Sequence, residues 1–104
     1  MSDEERRRSV IEQVARERRV ERFVLLDTHA WELDANRQDL VQMVYEILLT
    51  YDCDKVLDMW DTGCLDHFIF RIVTVQWYGA RSTFDNLIRR PREIRAADMT
   101  KYER

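Results

Sequence analysis

Glycine occurs twice and proline once in 104 residues. Hairpins and Greek keys need these residues at their turns, so a β-sandwich or barrel is excluded. No apolar run approaches the roughly 18 residues of a membrane span. The opening stretch, Met1 to Ser9, is charged and has no apolar segment behind it, which is not the pattern of a secretory signal. Cysteine is scarce too. Cys53 and Cys64 are the only two, and without a secretory leader they are expected as reduced thiols in a cytoplasm. There is no glycine-rich phosphate loop, no nucleophile elbow and no HExxH helix. No catalytic residue is assigned, and the chain reads as a binding domain with no cofactor and no small-molecule substrate.

What is present is charge. Charged residues make up 36% of the chain and the formal net charge is −3. That small value hides an asymmetry. Residues 1–31 carry seven basic and seven acidic side chains, residues 32–68 carry two and nine, and residues 69–104 carry eight and four. One acidic and one basic surface are implied, suited to two different partners.

The apolar residues recur at helical spacing, with no internal repeat and no low-complexity linker. The expected fold is a single all-α domain, a compact bundle of four to five helices. Its parts are an N-terminal helix and connector over 1–35, a helical core over 36–92 and a polar tail over 93–104. Val10, Ile11, Val14, Val20, Phe23 and Val24 predict one helix from about Asp3 to Leu26, opened by Ser2 with Glu5. Its start, Arg6-Arg7-Arg8, has little to bury and is expected to fray. Asp34 or Asn36 caps a second helix over about Arg37–Tyr51, and Asp52 or Asp54 a short third over Lys55–Asp61 that ends at Gly63. The fourth, about Asp66–Tyr78, is apolar nearly all round and is expected in the middle of the bundle. Gly79 breaks it, Ser82 or Thr83 caps a short helix with Phe84, and Pro91 suits the first turn of a last polar segment. The expected core is Leu40, Val41, Val44, Leu48, Leu57, Phe68, Ile69, Ile72 and Val73.

Three constellations bear on chemistry. His29, Cys53, Cys64 and His67 contain only one tight pair, Cys64 with His67, whereas zinc modules bring ligands in paired knuckles; no metal site is assigned. Asp52, Asp54, Asp58 and Asp61 lack the central glycine of a calcium loop and read as acidic side chains favoured at a helix start. The third is Trp77, Tyr78, Arg81 and Phe84, followed by Arg89, Arg90 and Arg92. Flat faces for bases and cations for phosphates are the combination that binds single-stranded nucleic acid. Spacing alone favours the plainer reading, with Trp77 and Phe84 as core and the arginines as a solvated face.

The stretch Asp39-Leu40-Val41-Gln42-Met43-Val44-Tyr45-Glu46-Ile47-Leu48 resembles a helix in the second conserved region of bacterial sigma factors of the extracytoplasmic-function group. Leu65 to Gln76, with Arg89-Arg90 beyond it, takes the place of that region's next helix and its basic end. The likeness covers about residues 36–92, and the chain is also similar to short sigma-like proteins of Bacteroidetes phages. The resemblance implies a transcription initiation factor in the cytoplasm of a bacterial host. Asp39, Gln42, Met43 and Glu46 would face the clamp helices of the RNA polymerase largest subunit. Trp77, Tyr78, Arg81, Phe84, Arg89, Arg90 and Arg92 would face promoter DNA. Val75-Gln76 stands where the family has Arg-Asn, and the family's helix-turn-helix domain has no counterpart here. Two alternatives keep the fold and drop the DNA: a phage structural or interaction protein that binds only protein, and a regulator that occupies the polymerase clamp. No membrane partner is implied.

Overall fold

A computed structural model describes residues 2–28, 34–79 and 82–92. Among them the chain is all-α, with six helices and no strand, where four to five helices were expected. They are α1 (Asp3–Arg16), α2 (Arg19–Thr28), α3 (Ala35–Thr50), α4 (Cys53–Thr62), α5 (Leu65–Tyr78) and α6 (83–92), the last carrying a π-wound stretch over Asp85–Arg89. None is long and apolar enough to cross a membrane.

The extra helix comes from a break in the expected Asp3–Leu26 element. Val14 and Val20 are six residues apart, which on an unbroken helix sets them about 120° apart around the axis, at the two edges of a core-facing stripe rather than along its middle. The chain turns instead at Glu17, with Arg18 in the left-handed region at φ 53°, and Val10, Ile11, Val14, Val20 and Val24 all reach the interior.

The start of α1 is anchored, not frayed. The Ser2 hydroxyl accepts from the Glu5 amide at 3.2 Å, and Asp3, Glu4 and Glu5 place negative charge on the first turn. Arg7 is buried: its guanidinium donates to the Tyr51 carbonyl and to the Glu4 carboxylate at 2.7 and 2.9 Å. A cation thus sits at the C-terminal end of α3, where carbonyls lack helical partners and the helix dipole is negative. Arg6 pairs with Asp61.

Asp34 caps α3 by accepting from the Arg37 amide at 3.1 Å, and Asp52 caps α4 by accepting from Lys55 at 3.2 Å. Helix α4 starts two residues before the expected Lys55 and ends on Gly63 at φ 78°, a backbone angle that glycine adopts without strain. Helices α2 and α5 lie parallel, joined by contacts at a constant separation of 47 residues. Arg19 pairs with Asp66 at 3.0 Å, the Phe23 and Phe70 rings meet edge to face at 6.0 Å, and Thr74 donates to Asp27 at 2.8 Å. Each rung is one helical turn beyond the last.

Of the expected core, Leu40, Val44, Leu48, Leu57, Ile69 and Val73 are buried; Val41, Phe68 and Ile72 are partly buried against them. Helix α5 is not buried all round. It packs on α2, α3 and α4 but leaves Phe70 and Val75 partly exposed. Pro91 does not open a new segment: α6 continues through it to 92.

Candidate interaction site

The acidic side of α3 is presented as a split face. Gln42 and Glu46 are one turn apart and exposed, whereas Met43 turns inward against the core. Asp39 is half-exposed and accepts from Arg92 at 2.6 Å, so part of its charge is already used within the fold. Gln42 and Glu46 belong to a shallow groove with Gln38, Val41, Tyr45 and Leu49. Tyr45 anchors it by donating to both oxygens of Glu21, at 3.0 and 3.1 Å. Burial, and then the Glu21 carboxylate, push the Tyr45 phenol well above its ordinary range.

Trp77, Tyr78 and Phe84 are not presented together as flat faces for bases, and the arginines among the described residues are largely engaged within the fold. Phe84 is 0% exposed and belongs to the core. Trp77 stacks over it, with ring centroids 5.8 Å apart and planes at 26°. Arg89 closes the stack from outside: its guanidinium lies 5.6 Å from the Trp77 ring and 5.7 Å from that of Phe84. It also donates to the Trp77 carbonyl and, at 2.9 Å, to Asp85. Arg90 lies 3.6 Å from the same carboxylate but keeps most of its side chain exposed. Arg92 is shared between Asn36 and Asp39. Tyr78 is 58% exposed, with its hydroxyl on the Asp27 carbonyl. Arg81 lies outside the described residues.

The turn after α5 causes this arrangement. Gln76 accepts from the Phe84 amide through its side chain at 3.0 Å and from the Ser82 hydroxyl through its carbonyl at 2.7 Å. Ser82 in turn caps α6 by accepting from Asp85 at 3.1 Å. Gly79 permits the close turn, since a Cβ there would meet the Val75 carbonyl oxygen at 2.5 Å. Phe84 is drawn inward and seals the end of the bundle.

Of the residues considered for metal, His29 lies outside the described residues, Cys64 and His67 are exposed, and Cys53 is half-buried with its thiol raised by burial. Among the described residues no three His, Cys, Asp or Glu side chains are grouped to hold an ion.

The sequence reading passed over Arg37. It is 3% exposed, and its Nη1 is buried without a hydrogen-bond partner. It lines a groove of about 690 Å³ between the α1–α2 junction and α3, together with Arg16, Glu17, Arg18, Glu21, Arg22, Leu25, Gln38 and Val41. The signal was present. Arg37, Leu40, Val44 and Leu48 follow one another at spacings of three, four and four, so a cation occupies a place in the buried stripe. Comparison with known proteins finds no family profile, no curated protein and no solved structure that matches this chain.

Proposed function

We propose that this protein is a sigma-like helical adaptor that docks on another protein through the outward side of α3, the RNA polymerase clamp helices being the partner implied by the resemblance. One observation carries this reading: Gln42 and Glu46 share an exposed face beside a shallow groove, and neither enters an ion pair among the described residues. The promoter-DNA half has fewer groups behind it. Phe84 is inaccessible to a base, and Arg89 and Arg92 already hold partners within the fold, which leaves Tyr78 and Arg90 as its most accessible members among the described residues, Arg81 lying outside them. The forms needing only a protein surface, a clamp-occupying regulator or an interaction protein, are therefore favoured over a promoter-opening factor.

The test is capture of reconstituted bacterial RNA polymerase on the immobilised protein. Gln42→Ala with Glu46→Arg is expected to weaken capture at least tenfold and leave the circular-dichroism spectrum unchanged. Undiminished capture by the double variant removes this face from the reading. Permanganate footprinting of promoter DNA decides the second half: opening that falls in Tyr78→Ala and Arg90→Ala restores the DNA role.

A further inference from the structure

The groove lined by Arg37 has a chemistry that the docking face does not explain. A guanidinium removed from water loses its hydration, and this loss is offset only when its N–H groups meet acceptors. Arg7, the other buried arginine among the described residues, has three such contacts. Arg37 has none for Nη1, although it borders an open groove. A volume of about 690 Å³ falls within the range of small-molecule sites.

We propose that this groove binds a monocarboxylate carried on an apolar stem, with Arg37 as the carboxylate anchor. Three features select that ligand. The planar guanidinium fork matches a carboxylate in bidentate fashion. Leu25, half exposed on one wall, and Val41 on the other supply apolar surface next to the charge. Arg16, Arg18 and Arg22 raise the local potential, while Glu17 and Glu21 lower it again and disfavour a dianion such as a phosphate monoester. Glu17 is ionised, because hydrogen bonds from Arg19 and then Gln13 hold its carboxyl below the ordinary range. A ligand carboxylate drawn to the Arg37 guanidinium from the groove supplies the kind of acceptor that its Nη1 lacks.

Binding is read on the full chain by amide NMR titration with octanoate, octyl phosphate and octylamine. Octanoate is expected to give saturable shifts at Leu25, Gln38 and Val41, octyl phosphate at least tenfold weaker ones, and octylamine none. Arg37→Lys, which keeps the charge but loses the fork, is expected to weaken octanoate at least tenfold, and Arg37→Met to abolish its binding. Arg37→Met also separates a ligand anchor from a structural role: the melting temperature of the free protein stays level or rises, because an unpaired buried charge is replaced by an apolar side chain. Saturating octanoate raises the melting temperature of the wild type but not of Arg37→Met. A helical peptide with Glu one turn before Leu distinguishes the source. Tighter binding than octanoate assigns a partner protein's side chain, and weaker binding assigns a free carboxylate. Equal response to octylamine, unchanged octanoate binding in Arg37→Met, or no saturable binding of either carboxylate overturns the proposal. The two grooves share Gln38 and Val41, so the variants separate them: Arg37→Met is expected to lose octanoate and keep polymerase capture, and Gln42→Ala with Glu46→Arg to do the reverse.

Discussion

A buried arginine stands at each end of helix α3, Arg37 on the helix itself and Arg7 reaching it from α1, and the two are treated differently. At its C-terminus Arg7, 8% exposed, spends its donors on the Tyr51 carbonyl and Glu4. At its N-terminus Arg37, 3% exposed, keeps a donor without an acceptor. The first arginine ties two helices together. The second keeps an unpartnered donor beside a groove. Burial alone therefore does not tell a structural cation from a ligand-seeking one; the difference lies in the acceptors around it.

The largest effect is expected at the end of α3 that carries Arg37, which α6 covers. Phe84→Ala should cost about 3–5 kcal/mol in urea unfolding, the range for a fully buried aromatic. A base-stacking ring on the surface would lose little stability, so the measurement also decides what Phe84 does. Next comes the comparison itself. Arg7→Met should cost about 1.5–3 kcal/mol, as its hydrogen bonds are charge-assisted, whereas Arg37→Met should cost nothing. Equal losses in the two variants would erase the distinction. A smaller effect is expected at the Arg92–Asp39 pair, whose side chains are each 43% exposed. Arg92→Ala should change stability by less than about 1 kcal/mol, as for other solvated pairs, leaving Phe84 as the main tie of α6.

The smallest effect concerns pH. The Tyr45 phenol, on α3 between its two ends, is raised above its ordinary 10.0 by burial and then by Glu21. The folded state thus favours the protonated form. Its contribution is complete below the unfolded phenol pKa and is lost as pH rises through the folded one. Stability should decline above pH 10, and Tyr45→Phe should flatten that decline in unfolding measured across the alkaline range.

Much of the fold was legible in the chain. Ser2, Asp34, Asp52, Gly63 and Gly79 all act at helix ends where their chemistry predicts, and the stripe from Leu40 to Leu48 is buried. The break after Arg16 was legible too, in the six-residue gap between Val14 and Val20, but a run of helix-forming residues masks it. The candidate sites were less so. Gln42 and Glu46 are outward as their spacing predicts, and Met43 is inward because its position on the helix overrides its place in the motif. The aromatic cluster reads the same in sequence whether Phe84 faces a base or the core.

Local chemistry, acting within three or four residues, determined the helices and most of their ends. Only the tertiary structure decided which charges are solvated and which are enclosed. Arg7 and Arg37 are the same residue type on neighbouring helices, and nothing local tells one from the other. Acceptors for Arg7 come partly from a carbonyl 44 residues away, and no such acceptor reaches Nη1 of Arg37. Hydrogen bonding is short-ranged and directional, so a partner distant in sequence exists only once packing has brought it within reach.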